Sequence, residues 1–452
     1  MAKLLSRRDV RESFDSMEGV PERQSTREAS VSGGVDIGGK LTKVTLEAKD
    51  GRRGEAIVPT YRWAEGEPIP ERVSGLARTT KTAVLKAAES AGIRVGEIDA
   101  LGLGAPGRRN PATAGYMMPN AIGRDGDGRM VEVDFERALR AELSSQGFRS
   151  DAVIRGGNDC DVAAAATRLD EVVVVQKGVG EMGKLSRKEK SLFLLLGTGI
   201  GGGEAQVDGL LEGGEQGHGE VYTPLDTQRI KCGCGKCKPN LICVEAVAST
   251  TGMEAITRMF AQDAIRDGSV NMDELSLLLE ETRKWNESEM VKRREAGEGS
   301  VDLEKSVDAI GAIREHVRGS GLSGADADLL DGVVFDAAVI DSLAAGDAPR
   351  VGLACRTMEE SGRHLGRYLR SQLTIQGGLK QVILGGGGAR TFKRGDRQSN
   401  PFWRAMADEL EGVDNDPFGV IAEKWIIAYV GSGNLGIQGS KKFAEILYEQ
   451  GG

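Results

Sequence analysis

The stretch LFLLLGTGIGGG at residues 192–203 is a run of large apolar side chains that ends in a glycine-rich turn. A short apolar run followed by glycine is typical of a buried strand that ends in a tight turn. With the turn at Gly197–Gly203, the chain has four such turns, and the others are Gly38–Gly39, Gly385–Gly388 and Gly431–Gly436. This repetition predicts an α/β protein in which several strands end in glycine.

The four turns have a common chemical use. Glycine is needed where the backbone approaches a phosphate closely, because successive exposed N–H groups can then surround the anion. One glycine turn alone usually only reverses the chain, but four in one chain predict a nucleotide held between two domains. The glycine spacing fits neither the dinucleotide-binding fingerprint nor the P-loop.

The composition excludes several other classes of protein. Glycine accounts for 64 of the 452 residues, but a Gly-X-Y period is missing, which excludes a collagen. The net charge of −9 argues against a nucleic acid or an anionic membrane as the main partner. The sequence has no apolar run of the roughly 20 residues that a membrane-spanning helix needs, and no signal peptide is recognisable. We therefore expect a cytoplasmic protein that binds neither nucleic acid nor membrane.

Four of the six cysteines lie within the segment CGCGKCKPNLIC, residues 232–243. In a cytosolic protein such a cluster favours a metal over disulfides. Four thiolates could form a closed, tetrahedral, structural zinc site, whose ligands would be Cys232, Cys234, Cys237 and Cys243. A site in which His218 replaces one thiolate, and the absence of a metal, are the alternatives.

A charged segment from about Met272 to Arg318 has a helical pattern. Leu275, Leu278 and Leu279 lie on one stripe of this segment. The stripe predicts either an insertion helix that packs on its own domain or a surface for a partner.

Several segments resemble known motifs. DIGGKLTKV (36–44), LLLGTGIGGG (194–203) and VILGGGGA (382–389) resemble the phosphate and adenosine motifs of the actin-like ATPase and sugar-kinase superfamily. Four more segments resemble the ROK family of bacterial sugar kinases and repressors: GLGAPG (102–107), GYMMPN (115–120), GGNDCDVAAAA (156–166) and CVEAVAS (243–249). The resemblance runs from about Gly34 to Gly439, apart from insertions near residues 172–190 and 258–322.

The resemblance implies a two-lobed actin-like ATPase fold of the ribonuclease H-like type, with mixed sheets flanked by helices and a cleft between the lobes. The expected divisions are a flexible tail (1–33), a small lobe (34–155, with a C-terminal helix at 433–452) and a large lobe (156–432). The large lobe would carry the cysteine segment and a charged insertion at 258–322. Relatives commonly pair, so a homodimer is expected.

The resemblance also implies ATP-dependent transfer of a phosphoryl group to a hydroxyl of a hexose or N-acylhexosamine. Asp159 matches the general base, and Asp36 matches the carboxylate that holds Mg²⁺. The matching nucleotide positions are Gly38, Gly39 and Lys43 for the transferred phosphate, Gly197, Thr198, Gly199 and Gly201 for the ATP phosphates, and Gly386 and Gly387 for the adenosine. The matching sugar-binding positions are Asn120, Asn158, Asp159, Glu220 and Glu245.

The sequence departs from the family pattern at three points. Members of the family hold zinc through three cysteines and the histidine of a GEIGH-like motif, but Thr223 stands at the histidine position, and the cysteine segment is longer. That histidine also contacts the sugar, so Thr223 predicts an altered substrate or affinity. Lys40 replaces the usual threonine after the two glycines, where it would either reach a phosphate or spoil the turn.

Three other functions compete with a kinase. A sugar-responsive repressor needs a DNA-binding module of roughly 60–80 residues, whereas 33 residues precede Gly34. A non-catalytic sugar-sensing or regulatory protein would act through the charged insertion, but it has no need of Asp36 and Asp159. An actin-like ATPase with an iron–sulfur cluster on its cysteines would be brown, whereas a zinc protein is colourless. The sequence favours the kinase.

Overall fold

The structure is a computed structural model. It describes residues 29–38, 41–64, 66–110, 113, 115–118, 121–159, 162–163, 172–176, 190–197, 199–205, 212–214, 218–230, 237–295, 300–319, 322–346, 350–375, 379–411, 424–429 and 435–449. The strands in chain order are β1 (Val31–Ile37), β2 (Leu41–Ala48), β3 (Arg53–Pro59), β4 (Ala100–Ala105), β5 (Arg108–Arg109), β6 (Tyr116–Met117), β7 (Glu132–Val133), β8 (Val153–Asn158), β9 (Val172–Gln176), β10 (Lys190–Leu196), β11 (Ile200–Ala205), β12 (Glu212–Gly214), β13 (Glu220–Tyr222), β14 (Leu241–Cys243), β15 (Leu379–Gly385) and β16 (Trp425–Tyr429). The α-helices are α1 (Ile69–Ala91), α2 (Phe135–Ser144), α3 (Glu245–Ala248), α4 (Thr250–Arg266), α5 (Met272–Glu295), α6 (Val301–Gly319), α7 (Ala337–Ala345), α8 (Gly352–Ile375), α9 (Pro401–Glu411) and α10 (Leu435–Glu449).

Two mixed sheets have the same plan. The first has the order β3-β2-β1-β4-β8, and the second has the order β12-β11-β10-β15-β16-β9. In each sheet, three antiparallel strands are followed by two strands parallel to the first of the three. The second sheet adds β9 as an antiparallel edge strand. The two sheets therefore share one five-strand topology.

The first sheet begins earlier than the sequence pattern indicates. Val31, Ser32 and Gly33, which were expected in the tail, pair with β2 as part of β1. The start of the strand is held by Asp99, whose carboxylate accepts hydrogen bonds from the backbone N–H groups of Ser30 and Val31. The strand therefore includes Ser32 and Gly33, whose side chains do not by themselves favour a β-strand.

Each sheet is covered by its own apolar core. The first core joins β1–β4 and β8 to α1 and α2, and includes the fully buried Leu76, Val84 and Phe135. The second core surrounds β10, β15 and β16 and extends into α4 to α9. Leu275, Leu278 and Leu279 are fully buried in this second core. The charged segment thus forms helices that pack on their own chain, which is the first of the two interpretations of its leucine stripe.

Helix α10 follows the second sheet in sequence but packs against the first. It contacts β1, β4 and β8. The approach is close enough that a Cβ at Gly102 would lie 1.7 Å from the Ser440 carbonyl oxygen. An ion pair between Lys441 and Glu47 and a hydrogen bond from Ser32 Oγ to Glu445 (2.7 Å) add polar contacts along the helix. Among the helices in the ranges given above, none has the length and apolar content that crossing a bilayer requires.

Candidate active site

The ends of two strands that lie parallel on either side of β4 carry the expected magnesium, sugar-binding and base residues. Asp36 is the penultimate residue of β1, Asn158 is the last residue of β8, and Asp159 follows it in helical conformation. The register aligns Asp36 with Gly104 of β4, and Gly104 with Gly157 of β8. Because the carboxyl ends of parallel strands meet at one edge of a sheet, the proposed magnesium carboxylate and the proposed base lie at the same edge.

Asp36 is paired with Lys43 across the β1–β2 ladder. The Lys43 Nζ atom lies 3.6 Å from Asp36 Oδ2, and both side chains are partly exposed. The connecting turn is tight, since the Gly38 N–H donates to the Leu41 carbonyl (2.9 Å) and the Gly38 carbonyl accepts from Thr60 Oγ1 (2.8 Å). Gly39 and Lys40, at the tip of this turn, lie outside the described residues.

Two of the segments expected to bind the sugar meet beside the end of β8. Asn158 Nδ2 donates to the Gly107 carbonyl oxygen at 2.5 Å, which ties the end of β8 to the loop after β4. Asp159 is half-buried next to it. Asn120, the third expected polar group here, lies outside the described residues.

A buried carboxylate that the sequence did not single out organises this region. Glu136, in the first turn of α2, accepts hydrogen bonds from the Tyr116 hydroxyl (2.8 Å), the Gly156 N–H (3.1 Å) and Arg109 Nε (3.1 Å) on Oε1. Its Oε2 accepts from Arg155 at 2.9 Å. One side chain therefore connects α2 to β5, β6 and β8, and β8 leads directly to Asn158.

The charges in this cluster shift the pKa values of its members. Burial raises the pKa of Tyr116 well above its ordinary value, and the neighbouring Glu136 charge adds to the effect. Burial works to lower the pKa of Arg109, but the interactions with Glu136 and Tyr116 together outweigh burial and the pKa is raised. Tyr116 is therefore neutral and Arg109 is charged at any physiological pH, so this hydrogen-bonded cluster does not change with pH there.

The second sheet presents the turn expected at the ATP phosphates. Gly197 and Gly199 join β10 to β11, and the Gly197 N–H donates to the Gly199 carbonyl at 2.9 Å. Thr250 holds the Gly197 carbonyl through both its backbone N–H (2.9 Å) and its Oγ1 (3.0 Å). Glu245 Oε2 accepts the N–H of Ile200 at 3.1 Å. Gly201 follows in β11, and Thr198 lies outside the described residues.

The turn expected at the adenosine lies beside this phosphate turn. Gly385 pairs with Leu195, so β15 ends where β10 ends. Gly386 has a φ of +86°, and a Cβ there would lie 2.6 Å from the Leu196 carbonyl oxygen. Gly387 is exposed, and a Cβ there would meet no atom within 4 Å. The two turns thus lie side by side at the ends of neighbouring strands.

Glu220 and Thr223 differ in exposure. Glu220 is exposed at the start of β13, directly across the ladder from Cys243. Thr223 is fully buried, its hydroxyl accepts the N–H of Leu225 (3.0 Å), and its own N–H donates to the Asn240 carbonyl (3.1 Å). At the position of the family's histidine, this chain therefore has a residue that stabilises a turn.

Two of the four clustered cysteines belong to the described residues. A tight turn, with reciprocal backbone hydrogen bonds between Lys238 and Leu241, reverses the chain between Cys237 and Cys243. The Cys243 thiol donates to the His218 carbonyl at 3.8 Å. Within the part of the chain that the structure describes, no group of three or more His, Cys, Asp or Glu side chains could hold a metal ion. Cys232 and Cys234 lie outside that part, so the four-cysteine zinc site stays a prediction.

The same segment carries a family match. Residues 174–299 match the model of the ROK family. The resemblance to the ROK family is confirmed over these residues. The matched residues contain the turn at Gly197–Gly203, the cysteine segment and Glu245. No curated protein matches the chain significantly.

Solved structures match over nearly the whole chain. A glucokinase from Balamuthia mandrillaris in complex with glucose has a TM-score of 0.53 at 16% identity, covering 98% of this chain and 100% of the other. A ROK family glucokinase from Streptomyces griseus in complex with glucose and AMPPNP has a TM-score of 0.51 at 19% identity, with 92% and 99% coverage. A glucokinase from Leishmania braziliensis has a TM-score of 0.50 at 13% identity, with 97% and 98% coverage. The expected actin-like ATPase fold is confirmed.

Proposed function

We propose that this chain is an ATP-dependent sugar kinase that transfers the γ-phosphoryl group of ATP to a hydroxyl of a hexose or N-acylhexosamine. The observation that carries the proposal is the common edge of the first sheet, where the carboxylate of Asp36 and the Asn158–Asp159 pair end parallel strands. Two of the glucokinases that share the fold were solved with glucose, and one of these two also with AMPPNP. A sugar fits the polar edge of the first sheet, and a nucleotide fits the glycine turns.

The proposed mechanism uses residues at this edge. Asn158 and Asp159 would hold the sugar, with Asn120, Glu220 and Glu245 as further partners. Asp159 would accept the proton of the attacking hydroxyl as its oxygen bonds to the γ-phosphorus and the bond to the β-phosphate oxygen breaks. Lys43 would neutralise charge on the transferred group, while Gly38 and Gly39 let the backbone approach it.

Mg²⁺ and zinc belong to the proposal in different roles. Asp36 offers a partly exposed carboxylate, the hard oxygen donor that Mg²⁺ prefers, and Mg²⁺ bound there would neutralise phosphate charge. Zinc on Cys232, Cys234, Cys237 and Cys243 would be structural, and the turn that reverses the chain between Cys237 and Cys243 supports this set. A homodimer and a cytoplasmic location remain further predictions from the family resemblance.

A coupled assay of ADP release tests the proposal. The purified chain is incubated with ATP and Mg²⁺ and a panel of hexoses, N-acetylhexosamines and other polyols. We expect sugar-dependent ADP release with at least one member, and phosphorylated sugar in equal amount by mass spectrometry. Sugar binding without ADP release across the panel would instead favour a non-catalytic sugar sensor, and ADP release independent of any sugar would favour a plain ATPase.

A further inference from the structure

The carboxylate of Glu245 touches the turn that is expected to bind ATP phosphates, although the family resemblance assigns this residue to the sugar. We infer that Glu245 couples the two substrate sites, so that a sugar bound to its carboxylate tightens the phosphate turn and raises nucleotide affinity. The inference rests on the proposed function, because it requires a sugar and a nucleotide in one cleft.

The contact is specific to one oxygen atom of the side chain. Glu245 is the first residue of α3, and its Oε2 accepts the N–H of Ile200 at 3.1 Å. Ile200 is the residue immediately after the turn Gly197–Gly199. A Cβ at Gly199 would lie only 2.5 Å from the same Oε2. The carboxylate therefore fills the space beside the turn and bonds to its last peptide.

The opposite end of the turn is held in another way. Thr250 binds the Gly197 carbonyl through its N–H (2.9 Å) and its hydroxyl (3.0 Å). Both donors belong to a residue outside the expected sugar-binding set. The turn is thus held at two points. A bound sugar could influence the contact with Glu245, but it could not influence the contacts with Thr250.

The chemistry of a carboxylate allows both contacts at once. Its two oxygens offer about four acceptor positions, so Glu245 can hold the Ile200 N–H while it accepts a sugar hydroxyl. A sugar that fixes the Glu245 side chain also restricts the motion of the turn. The phosphates then bind a turn that is already ordered, so less conformational entropy is lost when they bind. The affinity of each ligand must then rise by the same factor in the presence of the other. For a single carboxylate we expect about tenfold, within the usual range of roughly 5–150-fold.

The test is a binding cycle on the full chain by isothermal titration calorimetry. AMPPNP with Mg²⁺ is titrated with and without a saturating amount of the best sugar of the panel, and that sugar is titrated with and without AMPPNP. The expected result for the unaltered chain is about tenfold tighter binding in both directions. In Glu245→Gln, which keeps the size but loses the charge and one acceptor oxygen, we expect the coupling to fall below about threefold.

Two further variants separate coupling from a general loss of structure. Gly199→Ala displaces the Glu245 carboxylate from Ile200 but leaves the chemistry of the Glu245 side chain unchanged, so it should also abolish the coupling. Thr250→Val removes the hydroxyl clamp but leaves Glu245 intact, so it should weaken AMPPNP binding equally with and without sugar and keep the tenfold ratio.

The outcomes are distinct. Turnover with independent binding of the two ligands, or coupling that survives in both Glu245→Gln and Gly199→Ala, would overturn the inference and leave the proposed function standing. If no sugar of the panel binds or promotes ADP release, the proposed function fails and this inference fails with it.

Discussion

Lys43 lies directly across the β1–β2 ladder from Asp36, and its Nζ atom is 3.6 Å from the carboxylate oxygen Oδ2. The carboxylate proposed for Mg²⁺ therefore already has a cationic neighbour inside the protein. Lysine and metal compete for the same negative charge, so the two residues should affect the magnesium requirement in opposite directions.

We expect Asp36→Asn to raise the Mg²⁺ concentration for half-maximal activity by more than tenfold, because the neutral amide is a poor Mg²⁺ ligand. Lys43→Met should lower that concentration by a few fold, since a partly exposed ion pair contributes only about 0.2–1 kcal/mol, but it should also reduce kcat. ADP release measured against Mg²⁺ concentration gives both values, with Lys86→Met, on the exposed face of α1, as the control. An unchanged magnesium requirement in Asp36→Asn would remove Asp36 from the metal site.

Asp159→Asn should abolish proton abstraction while keeping the shape of the side chain. We expect kcat to fall by about 10²–10⁴-fold, the usual contribution of a general base, with sugar affinity within about threefold of the unaltered chain. Single-turnover kinetics and sugar titration separate the two effects. Asp151→Asn, in the exposed turn that precedes β8, should retain full activity. An active Asp159→Asn variant would disprove the assignment of the base.

Cys234→Ser should release the metal if four thiolates bind zinc. We expect the zinc content to fall from about one atom per chain to near zero, together with loss of folding, because structural zinc binding contributes to the folding free energy. Cys355→Ser is the control, since its thiol lies on α8 and donates to the Ala344 carbonyl at 3.7 Å. Metal analysis and circular dichroism provide the readout. Stoichiometric zinc in Cys234→Ser would exclude the four-cysteine set.

Glu136→Leu should be strongly destabilising because it leaves Arg109 and Arg155 without their carboxylate. Removing one partner of a buried charge cluster costs about 3–5 kcal/mol, so the midpoint of urea unfolding should fall markedly. The matched change on the same helix, Glu142→Leu, breaks only the partly exposed pair with Lys81, and surface pairs contribute about 0–1 kcal/mol. Equal effects of the two substitutions would show that the Glu136 cluster does not stabilise the first sheet.

The carboxylate of Asp99 predicts a pH-dependent contribution to stability. Burial works to raise the pKa of Asp99, but hydrogen bonds from Ser30, Val31 and Arg149 outweigh burial and lower it. A carboxyl whose pKa is lower in the folded chain stabilises the fold above its unfolded pKa of about 3.9, and this contribution is lost as pH falls further. Asp99→Asn should therefore be less stable by roughly 2 kcal/mol at pH 7, and the difference should shrink below about pH 4. Urea unfolding at several pH values measures it, and a pH-independent difference would contradict the assignment.

The parts of the fold that sequence reasoning predicted depend on local signals. An apolar run that ends in glycine is visible within ten residues, and it correctly placed β10 with its turn and β15 with its turn. The helical pattern of the charged segment from about Met272 to Arg318 was likewise predicted, and α5 and α6 lie there. Both kinds of signal depend only on neighbours in the chain.

The missed residues depend on partners that are distant in sequence. Glu136 looks like an ordinary acidic residue in the first turn of a helix, and its role appears only when β8, 20 residues later, returns beside it. Thr250 follows the serine that caps α4, and its bond to Gly197 spans 53 residues. Sequence reasoning also placed Glu245 only beside the sugar, since its bond to Ile200 joins residues that are 45 positions apart in the chain.

The position of α10 has a consequence for synthesis on the ribosome. The first sheet consists of residues 31–158, yet the helix that covers β1, β4 and β8 consists of residues 435–449. A nascent chain that stops before residue 435 leaves one face of that sheet, including the shallow surface over Gly102, open to solvent. The first sheet to be translated is thus among the last to be completed, and chaperones would find their binding surface there until α10 emerges.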